Sequence, residues 1–224
     1  MKTPMIAAAA ALVTTIACAA PSSAADPLVM TGIEWKAQPG NKHPQLRVSH
    51  KGSSSSLSLG SPRAGLAAAR TAIGAAAGPV AFTVMHEAGT LACSGTLTRA
   101  CEGGGSCRFT SDPGFEAALD ARGLAPDRRS DMLAMLMVDA TIALADGLTD
   151  AGVKPKDSDD LIAAAALEVT PAYVRDLKSE ALVLTKVDDA IACKALGVDG
   201  AYVRSLAAAG YRALSADDVV GMKA

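Results

Sequence analysis

Pairs of neighbouring aspartates recur at a fixed 29-residue interval in the second half of this 224-residue chain. They are Asp159-Asp160, Asp188-Asp189 and Asp217-Asp218. Carboxylates arranged in this way could bind calcium or serve in acid–base catalysis. However, so wide an interval places the pairs in separate structural units, so they do not converge on one point. Acidic residues in the first turn of a helix cap free amides and complement the helix dipole. We therefore interpret the pairs as helix starts.

The three histidines, His43, His50 and His86, could together hold a catalytic zinc ion. His86 opens the sequence His-Glu-Ala-Gly-Thr, which begins like the zinc-protease signature but has Thr90 where the second histidine is required. The stretch is also expected at the end of a strand, where the helical spacing of the ligands fails. A metal-dependent hydrolase that uses the three histidines is therefore kept only as an alternative, and no metal or cofactor is expected.

Motifs that mark a catalytic serine are missing from the sequence. It contains no Gly-x-Ser-x-Gly, and no lysine has a serine three residues before it. The glycine run at 103–105 lacks the Lys-Ser/Thr ending of a phosphate-binding loop. We therefore expect no enzymatic activity and assign no catalytic residue.

Cysteines at 101 and 107 flank a glycine-rich turn. A hairpin centred on Gly104 would place Cys101 opposite Cys107, within the distance that a disulfide can bridge. We therefore predict a Cys101–Cys107 disulfide, with two free thiols or a metal clip as alternatives. Cys193 occupies a repeat position that other copies fill with alanine or methionine, so it is expected to be a small buried residue. Cys93 is left unassigned.

A 29-residue repeat organises the C-terminal half: Val169–Leu177 returns as Val198–Leu206 without a gap. Thr170 and Asp199 are expected to cap the first helix of each copy, and a second helix starts near the acidic pair. Neither helix can bury its apolar stripe alone, so successive helix–turn–helix units must stack. The residues expected at the seam between units are Tyr173, Val174 and Leu177 in one copy and Tyr202, Val203 and Leu206 in the next.

Two arginines, Arg175 and Arg204, occupy matching positions in these copies and could line one face of the stack. The preceding copy has Asp146 at that position, so the row is short. Solvated arginines are the simplest interpretation, and an interaction face that binds an anion or a protein partner is the alternative.

The order of these patterns predicts an α+β fold. Residues 26–112 alternate apolar and polar side chains over short stretches and are expected to form an antiparallel β-rich domain. Within it, Pro62–Ile73 should form a short inserted helix, and the serine-rich residues 52–56 a mobile loop. Residues 113–224 are expected to form the stack of helical repeats, with Asp131–Leu148 as one long helical run.

Residues 1–25 read as a secretory signal peptide, in which Lys2 precedes the apolar run Met5–Ala20. Small residues then precede two possible cleavage points, one before Ala20 and one before Asp26. We favour cleavage before Asp26, because Pro21 breaks the apolar run just upstream of it, and we therefore expect a periplasmic or secreted protein. Cys18 follows a stretch that resembles a bacterial lipobox without its usual leucine, which makes a lipid anchor the alternative. No later segment is long enough to be expected to span a membrane.

Composition argues against a nucleic-acid partner. The formal net charge is −2, and the charged residues of both signs are interspersed. A basic face able to neutralise phosphates does not stand out. Hydrophobic residues make up 50% of the chain but aromatic residues only 3%, so close packing of small side chains must replace bulk.

The last copies resemble a known kind of sequence. Ala201–Leu206 reads Ala-Tyr-Val-Arg-x-Leu, and Gly210–Val220 reads Gly-Tyr-Arg-x-Leu-Ser-x-Asp-Asp-Val-Val. Both are similar to helical tail repeats of bacterial exported proteins, which also follow the peptidase part of membrane metallopeptidases of the beta-lactam-sensor type. Residues 78–91 and 105–115 resemble the β segment before such repeats. The peptidase part itself has no counterpart here, so the resemblance implies an exported sensing or interaction module and transfers no catalytic residue.

We therefore expect a non-enzymatic exported bacterial protein that acts as a protein-interaction or sensing module in the cell envelope. Its partner is expected to be an envelope protein. An envelope lipoprotein or a small-ligand carrier is the alternative.

Overall fold

The computed structural model of the protein describes residues 26–180 and 182–224. The expected signal peptide and Cys18 lie outside the described residues. Six strands form one antiparallel sheet, and they are β1 Val29–Gln38, β2 Gln45–His50, β3 Ser53–Ser58, β4 Gly78–His86, β5 Gly89–Arg99 and β6 Glu102–Ser111. Their order across the sheet is β3-β2-β1-β6-β5-β4.

Helices follow the sheet along the chain, except for one that is inserted between β3 and β4. The inserted element is a 3-10 turn, Ala64–Leu66, that continues into α1 Ala67–Ile73. The others are α2 Pro113–Asp120, α3 Asp131–Val138, α4 Ile142–Asp150, α5 Ser158–Ala166, α6 Pro171–Ser179, α7 Val187–Ala195, α8 Gly200–Ala208 and α9 Ala216–Lys223. The predicted α+β fold is confirmed, and so is the short inserted helix.

One face of the sheet is covered by α1 and α3, and glycines of β6 make room for the single tryptophan. The Trp35 Nε1 donates a hydrogen bond to the Ser94 carbonyl at 3.0 Å, and the ring meets Phe82 edge-on with 5.1 Å between centroids. A Cβ built at Gly105 would lie 2.8 Å from Trp35 Nε1. The glycine run therefore belongs to a packed strand, where the absence of side chains lets the indole cross β6.

The disulfide joins Cys93 to Cys107, so the predicted Cys101–Cys107 pairing is wrong. The β5–β6 hairpin turns between Arg99 and Glu102, whereas the prediction centred it on Gly104. This register places Cys107 directly opposite Cys93, with 4.1 Å between the Cα atoms. Cys101 lies in the turn itself with a φ of 63° and is a half-buried free thiol.

The serine-rich stretch expected to be a loop is also different in the structure, because it forms β3. Its residues pair with β2 in register, from His50↔Ser53 to Gln45↔Ser58. Leu57 is buried, while Ser53–Ser56 remain exposed. Backbone pairing with β2 and one buried leucine thus outweigh the low strand propensity of serine.

The long helix expected over Asp131–Leu148 is divided into α3 and α4, whose axes differ by 75°. Asp139 at the break has left-handed backbone geometry, with a φ of 68°. Arg63 donates to the carbonyl oxygens of Leu136 and Met137, which end α3, and its Nε lies 2.8 Å from an Asp139 carboxylate oxygen. An arginine far earlier in the chain therefore terminates this helix.

Helices from α2 onward form two rows. The even-numbered helices begin at positions 113, 142, 171 and 200, and α5, α7 and α9 begin at positions 158, 187 and 216, so these helices keep the 29-residue interval, whereas α3 begins at position 131, 27 residues before α5. Contacts join α2, α4, α6 and α8 in one row and α3, α5, α7 and α9 in the other. Each even-numbered helix has a side-chain N-cap that accepts a hydrogen bond from the amide three residues on, and these caps are Asp112, Thr141, Thr170 and Asp199. The predicted caps Thr170 and Asp199 are confirmed.

Two hydrophobic cores connect these elements. The first joins the covered face of the sheet to α2 and α3, for example through Phe109, Phe115 and Met135. The second lies between the helix rows from α4 to α9. Cys193 is fully buried there, as expected, and burial raises the pKa of its thiol to about 11. The first helices of the two rows therefore pack on the sheet, and the later helices pack on one another.

We predict that replacing both Cys93 and Cys107 by alanine lowers the free energy of unfolding by about 3 kcal/mol, because the disulfide closes a loop with a sequence separation of 14. Cys101→Ala is the matched control and should change it by less than about 0.5 kcal/mol. Urea denaturation without reductant measures both values.

Trypsin provides a direct check of the pairing, because cleavage after Arg99 and Arg108 puts Cys101 and Cys107 in one peptide and Cys93 in another. A non-reduced digest should contain the two peptides joined by the disulfide. A single peptide closed by an internal disulfide would contradict the structure.

Candidate functional site

The acidic pairs begin helices, as predicted, and the second aspartate of each pair does the capping. One carboxylate oxygen of Asp189 accepts hydrogen bonds from the backbone amides of Thr185 and Lys186 at 2.9 and 3.2 Å. Asp218 accepts from the Ser215 amide at 3.0 Å, and the Ser215 hydroxyl accepts from the Asp218 amide in return. These carboxylates satisfy amides that the helix leaves unpaired.

The carboxylates do not gather into a metal site. Within the described part of the chain, no group of three or more His, Cys, Asp or Glu side chains is arranged to hold a metal ion. Two of the pairs approach each other through a lysine: Lys156 Nζ lies 3.0 Å from Asp160 and 3.7 Å from Asp188. The calcium interpretation therefore has no geometric support in these residues.

His86 is buried where the sheet meets the helices, with its side chain 5% exposed. Its Nδ1 accepts a hydrogen bond from the Ala88 amide at 3.0 Å. In the neutral ring, the proton is then on Nε2, which is buried without a hydrogen-bond partner among the described residues and lies 3.4 Å from an Asp139 carboxylate oxygen. Burial is the main cause that lowers the pKa of His86, and the positive charge of Arg63 lowers it further.

The hydrogen bonding of His86 argues against its role as a zinc ligand in a hydrolase. A histidine that ligates zinc must offer an unprotonated nitrogen, and the Ala88 amide already occupies the only one that neutral His86 has. The Nε2 that points toward Asp139 carries a proton and cannot be a ligand. His43 is exposed in the connection between β1 and β2, and the structure brings no set of three such ligands together in residues 26–180 and 182–224.

The groove beside Asp139 measures about 810 Å³ and separates β3 from the α3–α4 corner. Among the described residues that line it, Arg63 is the only arginine or lysine. Each nitrogen of its guanidinium group already has a partner, namely Asp139, Met137 or Leu136. The described lining therefore presents no free cation to an anionic ligand.

The two arginines of the predicted interaction face differ in their contacts. Arg204 on α8 pairs with Glu180 after α6. Arg122 after α2 pairs with Asp146 on α4, so the same contact occurs two copies earlier with the charges reversed. Arg175 faces position 151 in this scheme, which is an alanine. Arg204 thus joins neighbouring units, and an interaction role for the two arginines stays a prediction.

The expected seam residues lie in or against the second core. Val174, Leu177 and Val203 are buried, and Tyr173, Tyr202 and Leu206 pack against them. The Tyr173 hydroxyl donates to the Val198 carbonyl at 2.7 Å, which ties α6 to the start of the next unit.

The unit α8–α9 exposes apolar side chains at positions that are buried in the three preceding copies. Tyr211 is 51% exposed, whereas its counterparts Leu182, Val153 and Leu124 are at most 4% exposed. Met222 is 44% exposed, whereas its counterparts are fully buried. These counterparts are Cys193, Ala164 and Met135.

Leu206 behaves in the same way, because it is half-buried while Leu177, Leu148 and Leu119 are fully buried. We refer to Leu206, Tyr211 and Met222 together as the terminal face. A cleft of about 260 Å³ adjoins it, lined by Leu182, Val203 and Leu214 among others. Exposed apolar side chains beside such a cleft are typical of a protein-binding surface.

Inspection of the sequence did not identify Tyr211 and Met222 as functional. Their signal was present, since the 29-residue spacing aligns Tyr211 with three apolar positions that a stacked unit would cover. The sequence alone does not show which of these positions are buried in each copy.

No protein-family model, no curated protein and no solved structure matches this chain. Across residues 26–180 and 182–224, no single helix is long and apolar enough to cross a membrane. The bent pair α3–α4 reaches the required length and composition only when both helices are taken together. The Cys93–Cys107 disulfide is compatible with a periplasmic or extracellular location.

We predict that Asp189→Ala lowers the free energy of unfolding by about 1 kcal/mol, because two backbone amides lose their acceptor. Asp188→Ala is the matched control in the same pair and should have a smaller effect, since the Asp188 carboxylate caps no amide of the described residues. Thermal and urea denaturation, each with and without calcium, provide the measurements. Equal losses for both variants, together with stabilisation by calcium, would support an ion site over capping.

We also predict that His86 makes the protein less stable in acid. Since its pKa is lowered in the folded state from the ordinary 6.5, the unfolded chain binds the proton more readily. Stability from neutral His86 is therefore complete above that value and is lost as the pH falls below it, by at most about 1.4 kcal/mol per pH unit.

His86→Asn keeps an acceptor for the Ala88 amide but does not titrate, so it should reduce the difference in stability between pH 7 and pH 5. His43→Asn removes an exposed imidazole instead and serves as the control. Urea denaturation at both pH values measures the difference, and an unchanged pH dependence in His86→Asn would refute the role of His86.

Proposed function

We propose that this chain is a non-enzymatic, exported protein-interaction module of the bacterial cell envelope, and that the terminal face is its binding surface. The observation that carries the proposal is the exposure of Tyr211 and Met222 at positions that are buried in every earlier copy. Stacked helical units form extended surfaces for other proteins and seldom enclose catalytic sites. The resemblance to exported helical tail repeats supports the same class of function.

Export is supported by two features. The apolar run at Met5–Ala20 and the small residues before Asp26 fit a signal peptide that is cleaved before Asp26. A disulfide between adjacent strands is stable in the periplasm or outside the cell and rare in the cytosol. An envelope lipoprotein acylated at Cys18 would present the same terminal face from a membrane anchor, so it differs in tethering only.

The repeat interpretation links this surface to the architecture. We propose that the helix pairs from α4 to α9 are copies of one 29-residue module, each of which covers the apolar face of the copy before it. Equal helix intervals and equivalent N-caps support this view. In such an array the exposed apolar side chains of α8–α9 have the residue types that suit helix packing, which makes them a docking site for another polypeptide.

The proposal is tested by site-specific photo-crosslinking in living cells. A photoreactive phenylalanine analogue at Tyr211 or Met222 should give a covalent adduct with a protein. The same analogue at Leu196 should give none, although that side chain is 40% exposed. The absence of adducts at both terminal-face positions, in a protein that is exported and folded, would refute the binding role of this face.

A further inference from the structure

We infer that a cavity between the β2–β3 hairpin and α3 binds a small organic anion with an apolar tail, namely a carboxylate on a short alkyl chain. The cavity measures about 350 Å³, which lies within the range of small-molecule sites. It shares no lining residue with the terminal face. The inference therefore adds a second site and does not depend on the binding role of that face.

The sheet wall of this cavity changes from apolar to polar along the face that α3 covers. On β2, Val48 is buried on this face, and the next residue that points the same way is the half-buried His50. On β3, Leu57 is buried on the same face, whereas Ser55 and Ser53 are exposed. A sheet face that continued a packed core would have apolar residues at these positions. Their hydroxyl and imidazole groups face a cavity instead, where a ligand can bond to them.

One side of α3 forms the opposite wall. The lining residues from this helix and its N-cap lie three or four positions apart, which places their side chains on one side of a helix. They are Ser130, Leu133, Ala134 and Met137. The Ser130 side chain makes no capping hydrogen bond, although it stands at the N-cap position. Leu133 and Met137 are buried and, with Met30 and Val48, give the cavity an apolar floor.

The rim of the cavity carries an excess of positive charge. Lys51 and Arg128 line it and are both exposed, whereas Asp131 is the one carboxylate among the described lining residues. Arg128 lies 3.3 Å from an Asp131 carboxylate oxygen, so these two charges offset each other. Lys51 forms no ion pair with any described residue. A free ammonium group above an apolar floor is complementary to an anion that carries an alkyl chain.

The test is an NMR titration of the isotope-labelled exported protein at low ionic strength, with octanoate as the probe. We expect saturable shifts of the backbone amides at 48–55 and 128–137, with a dissociation constant below about 1 mM. Octanol has the same chain without the charge, and acetate has the charge with almost no chain. Each should bind at least about tenfold more weakly than octanoate, because it satisfies only one of the two features.

Three variants locate the site. Lys51→Gln removes the free charge and should weaken octanoate binding at least about threefold. Arg108→Gln is the matched control, because it removes one positive charge from the opposite face of the sheet, and it should change the dissociation constant less than about twofold. Ala134→Phe fills the cavity and should abolish octanoate binding. Circular dichroism confirms that the variants are folded.

The outcomes decide both the place and the chemistry of the site. An absence of saturable shifts in the cavity would overturn the inference, and so would shifts confined to the terminal face. Equal affinities for octanoate and octanol, or an unchanged affinity in Lys51→Gln, would overturn the anionic class of ligand. Crosslinking at Tyr211 is a separate measurement, so the proposed function can stand or fail independently of this site.

Discussion

The structure depends on one constraint, which is that its short helices cannot bury their apolar sides alone. Helices α2 to α9 span only two to three turns each, and helices of this length are marginal in water. Each must therefore pack against neighbours, and the side chains available for packing are small. Helices α2 and α3 pack on the sheet, and every later helix pair packs on the pair before it. The described residues leave part of the apolar surface of α8–α9 exposed.

The junction between the sheet and the helices is held by polar groups at a few positions. Arg63 ends α3 by binding its last carbonyl oxygens, and Asp139 turns the chain toward α4. Glu87 accepts a hydrogen bond from the amide of Ile142, so the β4–β5 turn also caps the next helix. The imidazole of His86 is buried beside Arg63 and Asp139, and burial favours its neutral form. A buried imidazole next to an arginine is therefore a structural element here, although the same residue types could form a metal site elsewhere.

The charged groups on the helix rows cap helices and join neighbouring units. The second aspartate of each acidic pair caps a helix, and Arg122–Asp146 and Glu180–Arg204 join successive even-numbered helices with opposite polarity. The copy between them lacks the pair, because Ala151 occupies the position that would face Arg175. These uses leave apolar exposure at the end of the rows as the feature that folding does not account for, which is why the functional proposal rests there.

Local signals in the sequence carried much of the architecture. Thr170 and Asp199 were recognisable as caps, since capping depends on an oxygen three residues before an amide. The inserted helix and the helix starts at the acidic pairs were equally local. The errors arose where distant residues decide the conformation. Serines became a strand because β2 offered hydrogen bonds, and one helix became two because Arg63 reached its carbonyl oxygens.

By itself, the sequence determined the α+β order and the 29-residue spacing, because caps and apolar periodicity act within one or two helical turns. Only the tertiary structure decided which cysteines pair, since a hairpin shifted toward Cys101 puts a different residue opposite Cys107. It also decided which apolar side chains remain exposed. Burial is a property of neighbours, and Tyr211 differs from Leu182 in having no later unit packed over it within the described residues.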